Sequence, residues 1–336
     1  MSQKSHIFDH SVLIDPKGAT TIWYGQKNLN IFGKLHYLKI VLKAKKQINQ
    51  FYNKAIKEKE CYYGPFKGEF GHFLLHNLPF LSNLHKQGVK IHYCGMELHR
   101  GFLVDTNGNS IIHRYYPLRD FFAEVSSSSN DTIPPIDVQK EIEAFYAVAK
   151  KSGKAFLDIA DHNMYWFVFR NWQLVNNRQH VYNINQVYKT ANENSCVIFP
   201  RKKGNTVTPN NGGPWDYIEI AKLVAPYFDK VYITGHPSMS AEIESEGKIE
   251  VCLSTDNKVV IEKCCNAKLI ITQHSGAIHI GCYTNTDVLL IFNGEPPIKG
   301  LIDTLRFRKN LTQQPLQYAF NKEQIVGHIK TLSLNK

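Results

Sequence analysis

Residues 272–279 read TQHSGAIH and bring polar side chains and a glycine together between two apolar, strand-like runs. Thr272 ends the first run, Ser275 can cap a helix that follows, and Gly276 lets a ligand approach the backbone closely. The free N–H groups at a helix N-terminus attract anions, so this segment suits the diphosphate of a nucleotide. An ordinary helix capped by Ser275 explains the same residues equally well.

Basic residues follow a second apolar run, CVIFP. Arg201 and Lys202 stand at its end, where they could contact a diphosphate, and Arg201 could form two parallel hydrogen bonds with it. Lys203 continues the basic stretch and is the least expected of the three to touch a ligand. The alternative is a loop whose charges are simply hydrated.

A third apolar run, KVYI, leads into Thr234, Gly235 and His236. A turn of this kind at the end of a strand could receive the base of a nucleotide. Glu242 follows shortly after and could accept hydrogen bonds from ribose hydroxyl groups, as a carboxylate does in dinucleotide-binding folds.

Glu69 lies between two glycines in KGEFG, after the strand-like run ECYYGPF. A carboxylate in this position could act as the general base for a hydroxyl nucleophile. His72 and His76 follow at helical spacing on the same face, where they could provide a second base or shape a substrate site. The plainer alternatives are a carboxylate favoured by the helix dipole and histidines on an ordinary helix.

The chain has 336 residues, of which 43% are hydrophobic and 21% are charged, so two domains are expected. A formal net charge of +11 favours an anionic partner such as phosphate, nucleic acid or an acidic membrane surface. The basic residues are dispersed except in KLHYLKIVLKAKK and RKK, whereas nucleic-acid binding predicts basic clusters interleaved with aromatic residues. Nucleic acid is therefore not an expected partner.

The seven cysteines show no CxxC spacing and lie mostly in apolar runs, which is typical of reduced core thiols. The first residues lack the apolar segment of a signal peptide, and no run approaches the roughly 20 apolar residues that span a bilayer. We therefore expect a cytoplasmic protein whose membrane contact would be peripheral, at the inner face.

Hydrophobic periodicity predicts mixed α/β structure. Before the Ser-rich stretch at 126–135, it predicts strands at ECYYGPF and KIHYC, a helix over GHFLLHNLPFLSNLHKQG and a hairpin that turns at Asn107-Gly108. After that stretch, it predicts a helix over PIDVQKEIEAFYAVAKKSG and a buried aromatic run, MYWFVFRNWQL.

From residue 195 onward, short apolar strands and helices alternate. The predicted strands are SCVIFP, KVYIT, IEVCL, KLIIT and DVLLIF, and the predicted helices are PWDYIEIAKLVAPYF, SAEIESEG, NKVVIEKCC, GAIHIGCYT and the terminal NKEQIVGHIKTLSL. Strands this apolar predict a parallel sheet covered on both faces. Ligands of such sheets bind beyond the carboxyl ends of the strands, where the candidate residues lie.

The stretch AKLIITQHSGAIHIGCYTNTDVLLIFNGEPP resembles the donor-binding segment of heptosyltransferase-type glycosyltransferases with the GT-B fold. In that family, the loop and helix start hold the diphosphate of a nucleotide-activated sugar. The residues that match are Thr272, Ser275, Gly276 and His279. Gln273 and His274 depart from the pattern, because the family usually has an acidic residue beside Ser-Gly.

Two further stretches support the resemblance. GPFKGEFGHFLLHNLPFLSNLHKQGVKIHYCG is similar to the family's first strand, acidic loop, helix and second strand, although Glu69 replaces the usual Asp. GPWDYIEIAKL resembles the helix that opens its donor domain. The resemblance implies two Rossmann-like domains facing a central cleft, with acceptor binding in 1–190, nucleotide-sugar binding in 191–310, and a tail, 311–336, that could pack back on the N-terminal domain.

The implied activity is metal-independent, inverting transfer of a sugar from a nucleotide-activated donor to a glycan, polysaccharide or lipid-linked acceptor. Glu69 would be the base with His72 beside it, and His76 would contact the acceptor. No cofactor or metal is expected, because protein groups can stabilise the leaving diphosphate. The implied donor-binding residues are Arg201, Lys202, Thr234, Gly235, His236, Glu242, Thr272, Gln273, His274, Ser275, Gly276 and His279.

Two alternatives remain open from the sequence. A nucleotide-sugar epimerase of the same architecture would bind the sugar nucleotide but would need no acceptor. A non-catalytic protein would instead use the basic charge to bind a glycan or a nucleic acid.

Overall fold

The computed structural model describes residues 30–68, 70–125, 133–160, 178–202, 215–273, 275–293 and 316–334. These residues form two parallel β-sheets with helices packed against them, so the predicted α/β fold is confirmed. One sheet lies before residue 190 in the chain and the other lies after it.

The N-terminal sheet has four strands in the order β3-β2-β1-β4, and all neighbours pair in parallel. They are β1 (Glu60–Phe66), β2 (Lys90–Met96), β3 (Arg114–Leu118) and β4 (Ala155–Leu157). Strand β1 lies inside the sheet and is buried along almost its whole length, which accounts for its nearly continuous apolar and aromatic sequence.

The C-terminal sheet has six strands in the order β10-β9-β8-β5-β6-β7, again all parallel. They are β5 (Ser195–Phe199), β6 (Lys230–Gly235), β7 (Ile249–Leu253), β8 (Leu269–Thr272), β9 (Asp287–Ile291) and β10 (Leu316–Ala319). Because the strands share one direction, their carboxyl ends lie along one edge, where the candidate residues follow β5, β6 and β8.

Eight α-helices are described alongside the strands. They are α1 (Ile31–Glu58), α2 (Leu78–Lys86), α3 (Ile136–Ser152), α4 (Asn185–Tyr188), α5 (Tyr217–Val224), α6 (Asn257–Asn266), α7 (Gly281–Thr284) and α8 (Lys322–Leu334). Helix α2 continues a helical stretch that begins with an α-turn, Phe70–His72, and a π-helical turn, Phe73–Asn77. None of the described helices has both the length and the apolar character needed to traverse a membrane.

The hairpin predicted around Asn107-Gly108 is wrong in its second arm. The turn forms, and Gly108 adopts φ +83°, a backbone conformation that favours glycine. Antiparallel pairing is limited to one bridge between Val104 and Ser110, and the chain then enters β3, which runs parallel to β2. Local sequence patterns report that a segment is extended but not which neighbour it will pair with.

The helix predicted over SAEIESEG is also wrong, because residues 241–245 have no regular secondary structure. Ser240 pairs with Arg201 in an antiparallel bridge, and Glu246 pairs with Ile249 in another. Backbone groups on both sides of the segment are therefore bonded to neighbouring strands and loops. These tertiary contacts outweigh the helix propensity of its alanine and glutamates.

Helix α8 packs on the C-terminal domain, whereas the sequence analysis had suggested that the tail could pack back on the N-terminal domain. Ile325 and Ile329 are buried in the core between α5 and the C-terminal sheet. Lys322 forms an ion pair with Glu219 of α5. Helix α8 follows directly on β10, a strand that the sequence analysis did not predict, and this short connection keeps it beside its own sheet.

The largest hydrophobic core extends from one domain into the other, with Phe80 and Tyr283 among its members. Tyr283 donates a hydrogen bond to the carbonyl oxygen of Leu74 and packs edge-on against Phe102, with ring centroids 6.1 Å apart. The two domains therefore share apolar packing. The aromatic run MYWFVFRNWQL, for which burial was predicted, lies outside the described residues.

His99 is a fully buried imidazole held among aromatic rings of the N-terminal domain. Its ring stacks on Phe73 with centroids 4.1 Å apart, and the rings of Phe66 and Phe70 lie 5.7 and 6.1 Å away. Among the described residues, neither ring nitrogen has a hydrogen-bond partner. Burial lowers the pKa of His99 to about 3, although the negative charge of Asp120 acts in the opposite direction.

We predict that His99 makes the protein sensitive to mild acid. An unfolded histidine titrates near 6.5, so below that pH the unfolded chain binds a proton that the folded chain excludes until about pH 3. The free energy of unfolding should therefore fall as the pH is lowered from about 7 to about 5, by on the order of 2 kcal/mol from this residue. The variant His99→Phe keeps the ring packing and should lose this part of the pH dependence.

Urea unfolding at both pH values measures the effect in the wild type and in His99→Phe. His113 is exposed, so His113→Phe serves as the matched control and should retain the wild-type slope. Parallel pH profiles for the wild type and His99→Phe would contradict the prediction.

Candidate functional site

The polar segment after β8 forms a single 3-10 turn, Gly276–His279, capped by Ser275. Ser275 Oγ accepts a hydrogen bond from the N–H of Ala277 at 3.3 Å and lies 3.1 Å from Thr272 Oγ1. His279 is buried in the same turn, and α7 follows directly after Ile280. The Ser-capped helix start expected from the sequence therefore forms, but its regular part is short.

Gly276 lies directly against Gly71, which belongs to the helical turn Phe70–His72 in the N-terminal domain. A Cβ atom on Gly276 would stand 2.6 Å from the nitrogen of Gly71 and 3.1 Å from Cδ1 of Phe70. Backbone and side-chain atoms do not pack this closely, so any side chain at this position would push the two segments apart. The absence of a side chain at Gly276 therefore permits a close contact between the two domains. The sequence analysis had instead suggested that it lets a ligand approach the backbone.

A second contact between the domains joins Asp120, which follows β3, to His236, which follows β6. Their Oδ2 and Nε2 atoms are 2.5 Å apart, and only 25% and 17% of these side chains is exposed. The other nitrogen of His236, Nδ1, accepts a hydrogen bond from the N–H of Ser238 at 3.2 Å. Both ring nitrogens of His236 are therefore engaged, and Nε2 donates to the carboxylate of Asp120, which can only accept.

The environment of Asp120 favours its ionised form. Burial by itself would raise the pKa of this carboxyl group, but hydrogen bonds from His236 and from the N–H of Phe122 lower it below the usual value. The positive charge of Arg119 acts in the same direction. At neutral pH, the contact therefore carries a full negative charge on Asp120.

A third contact connects Asn257, the first residue of α6, to the segment after β2. The side chain of Asn257 donates a hydrogen bond to the carbonyl oxygen of Leu98. In all three contacts, a segment that follows a strand of one sheet meets a segment that follows a strand of the other. The carboxyl ends of the two sheets therefore face each other.

Three polar side chains converge near the carboxyl ends of β5 and β8. Tyr217 donates a hydrogen bond to Oε1 of Gln273 at 2.5 Å. Burial raises the pKa of Tyr217, and a backbone hydrogen bond at Arg201 and the charge of Arg201 act in the opposite direction. Arg201 is half-buried and is held at the end of β5 by its bridge to Ser240. A phenol, an amide and a guanidinium group thus lie at the sheet edge where ligands of parallel sheets bind.

No protein-family model and no curated protein sequence matches this chain. Solved structures with a similar fold include the two that follow. One is glycosyl transferase family 9 from Veillonella parvula DSM 2008, at 12% identity and a TM-score of 0.50, covering 82% of this chain and 97% of that one. The other is the E. coli heptosyltransferase WaaC with ADP, at 13% identity and a TM-score of 0.52, covering 81% and 99%.

This chain has the GT-B fold. The two Rossmann-like units predicted from the sequence are confirmed as its two parallel sheets, and their facing carboxyl ends correspond to the cleft of that fold. Almost all of each solved structure is matched, whereas about a fifth of the present chain is additional to them.

Some predicted site residues form contacts that hold the edge of the C-terminal sheet together. Thr234 is fully buried, and its hydroxyl group donates to the carbonyl oxygen of Cys252 at 3.1 Å. Thr272 is fully buried as well and bonds to the carbonyl oxygen of Gln273 at 3.0 Å. Gly235 has φ +140°, a conformation suited to glycine at this turn. The observed contacts of these residues are structural.

Lys202 and Glu242 lie at the protein surface. Their side chains form an ion pair at 3.1 Å, with 49% and 94% of their surfaces exposed. Lys202 is also tied through its backbone, since its N–H donates to the carbonyl oxygen of Met239 at 2.8 Å. The charged groups of this pair therefore partner each other in solvent.

His72 and His76 lie on one helical face, with ring centroids 5.6 Å apart. His72 is half-buried, and His76 is fully buried within the π-helical turn Phe73–Asn77. Single π-helical turns inside α-helices occur frequently at functional sites. Glu69 and His274, the other two predicted site residues, lie outside the described residues.

Sequence analysis did not identify Asp120, Tyr217 and Gly71, although the structure brings all three to the cleft region. Asp120 escaped notice because the strand before it was interpreted as part of a hairpin, so no strand end was recognised. Gly71 does have a signal, since a second glycine at the start of a helix in GEFGH is unfavourable unless another backbone approaches. Tyr217 has no distinguishing signal on its amphipathic helix.

We predict that Gly276→Ala will loosen the contact between the domains, because the new methyl group collides with the backbone of Gly71. The free energy of unfolding should fall by about 1–3 kcal/mol, and the radius of gyration in solution should increase. Gly327→Ala in α8 is the matched control, since a Cβ atom there meets no atom of the described residues within 4 Å. Urea unfolding and small-angle X-ray scattering should separate the two variants, and equal results for both would contradict the prediction.

Asp120→Asn tests the charged contact. The substitution leaves His236 facing a neutral amide, so the free energy of unfolding should fall by about 1–3 kcal/mol at neutral pH. Folding lowers the pKa of Asp120, so its stabilising effect is complete above the ordinary carboxyl pKa of 3.8 and is lost as the pH falls below that value. The difference in the free energy of unfolding between the wild type and Asp120→Asn should therefore become smaller in acid.

Urea unfolding at neutral pH and near pH 3 provides the measurement. Glu124→Gln removes one partner of the exposed ion pair with Arg119 and should have little effect at either pH. An equal loss of stability in Asp120→Asn and Glu124→Gln would show that the Asp120–His236 contact stabilises the fold no more than an exposed ion pair does.

Proposed function

We propose that the protein is a metal-independent, inverting glycosyltransferase that moves a sugar from a nucleotide-activated donor to a glycan, polysaccharide or lipid-linked acceptor. The observation that carries the proposal is a GT-B fold in which polar segments at the carboxyl ends of both sheets meet. One of the two solved structures with a similar fold is a heptosyltransferase with ADP, which supports a nucleotide-bearing donor.

The donor diphosphate would bind at the C-terminal sheet, between the ends of β5 and β8. Arg201 supplies a positive charge there, and the capped turn that starts at Ser275 supplies backbone N–H groups. Negative charge grows on the diphosphate as the sugar departs, so a fixed cation and fixed N–H donors lower the energy of that transition state. In this proposal, no metal or other cofactor is needed for the leaving group.

The acceptor would bind on the side of the N-terminal domain, with Glu69 as the general base. Gly71, two residues further along the chain, touches Gly276 of the segment assigned to the diphosphate. This contact supports the proposal because it keeps the chain around Glu69 next to the donor segment. His72 and His76 would shape the acceptor site behind it.

The proposed acceptor also bears on where in the cell the enzyme would act. A lipid-linked acceptor would require peripheral contact with the inner face of a membrane, and we propose that a cytoplasmic enzyme makes this contact without spanning the bilayer. The net charge of +11 supports attraction to an acidic lipid surface.

The test begins with a panel of nucleotide sugars, screened for thermal stabilisation and for turnover with and without glycan or lipid-linked acceptors. We predict that Glu69→Gln will lower transfer by roughly 10²- to 10⁴-fold, because it removes basicity while keeping the shape of the side chain. Donor affinity should stay near that of the wild type, since the nucleotide binds to the other domain. Glu143→Gln, at an exposed position in α3, is the matched control and should transfer normally.

Four outcomes would contradict parts of the proposal. Near-normal transfer by Glu69→Gln would remove this residue as the base, and loss of donor affinity would give it a structural role instead. Conversion of the donor without any acceptor would indicate an epimerase. Failure of every nucleotide sugar to stabilise the protein would overturn donor binding itself.

A further inference from the structure

The first half of α1 carries an apolar surface that the fold leaves exposed. Ile31, Leu35, Leu38 and Leu42 recur at the i, i+4, i+7 and i+11 positions of one helical face, with Phe32 beside them. The exposed fractions reach 65% for Ile31, 77% for Phe32, 56% for Leu35 and 54% for Leu42. We name these five residues the α1 stripe.

The stripe is not the face by which α1 holds the protein together. Ala44, Ile48, Phe51 and Ala55 lie on the opposite side of the helix and are buried in the core, and Val41 is buried on the same side. At 100° per residue, this buried face and the stripe point in roughly opposite directions. Helix α1 therefore has two apolar faces, and within the described part of the chain only one of them packs in the core.

Lysines border the stripe on both sides. Lys39, Lys43, Lys45 and Lys46 are exposed, and Lys34 lies one turn from the start of the helix. The segment 30–57 contains no aspartate and no glutamate, so no acidic residue of the helix compensates these charges there. An apolar strip flanked by uncompensated lysines is the pattern of a helix that lies in the interface of an anionic membrane.

We propose that α1 docks the protein on an anionic phospholipid membrane. The stripe would enter the boundary between headgroups and acyl chains, while the flanking lysines would contact lipid phosphates. This inference rests on the membrane contact in the proposed function and assigns it to a surface, but its evidence comes from α1 and requires no glycosyl transfer.

Charge distinguishes a membrane from a second copy of the chain as the occupant. A twofold contact between two stripes would bring the lysines of one copy against the same lysines of the other, and like charges at short range repel. An anionic lipid surface supplies the opposite charge along the whole length of the stripe and accepts its apolar side chains at the same time.

Sedimentation with vesicles tests the proposal on the full chain. The protein should bind vesicles of phosphatidylcholine mixed with phosphatidylglycerol, should bind phosphatidylcholine alone far more weakly, and should be released by added salt. Leu35→Gln combined with Leu42→Gln should weaken binding to the anionic vesicles by about tenfold or more, and so should Lys39→Glu combined with Lys43→Glu. Glutamine and glutamate both preserve helix propensity, so folding should be retained.

Two double variants elsewhere are matched controls. Ile133→Gln with Ile136→Gln changes two isoleucines that are 80% and 67% exposed, and Lys150→Glu with Lys151→Glu reverses two exposed lysines of α3. Both controls should bind anionic vesicles as the wild type does. Circular dichroism and thermal unfolding verify that all variants fold.

Equal vesicle binding by the α1 variants and their controls would overturn the proposal, and so would equal binding to neutral and anionic vesicles. Dissociation of a dimer by the stripe variants, with vesicle binding unchanged, would assign the stripe to a second copy of the chain. The assay contains no nucleotide sugar and no acceptor. A protein that binds vesicles through α1 but transfers no sugar would therefore contradict the proposed enzyme activity and leave the docking surface standing.

Discussion

The backbone contact between Gly71 and Gly276 is the constraint on which the arrangement of the site depends. A Cβ atom on Gly276 would stand 2.6 Å from the nitrogen of Gly71, and one on Gly71 would stand 3.2 Å from Cα of Gly276, so the turn after β1 rests directly on the turn after β8. These strands lie inside their respective sheets, and the contact therefore sets how closely the two domains approach. The shared core, in which Tyr283 donates a hydrogen bond to the carbonyl oxygen of Leu74, also holds the two domains together.

An electrostatic contact joins the two domains in addition to the glycine contact. Asp120 and His236 meet across the domains in a partly buried pair, and the ring of His236 is held at both nitrogens. A close-packed glycine contact depends little on pH, whereas a hydrogen bond to a carboxylate depends on the protonation of that carboxylate. The same region thus combines a contact that is insensitive to solution conditions with one that responds to them.

Helix α1 shows how one element can serve two environments. Its second half packs against the N-terminal sheet, where Glu58 accepts a hydrogen bond from the N–H of Ala155 at 3.0 Å. Its first half presents leucines and lysines to the outside, although burial in the core would have been the simplest use of the apolar residues. This division along one helix separates the surface that stabilises the fold from the surface available for a partner.

The sequence by itself determined most of the element types and the strand ends at which the candidate residues stand. Apolar runs that end in Arg201, Gly235 and Thr272 are recognisable as strands because burial on both faces leaves little choice of residue, and parallel strands put their ends on one edge. The tertiary structure alone decided the direction of β3, the absence of a helix over 241–245 and the surface against which α8 packs. It alone decided that Gly71 meets Gly276 and that Asp120 meets His236. The physical reason is that periodicity records whether a segment is buried, whereas its partners lie far away in the chain and leave no mark in the local pattern.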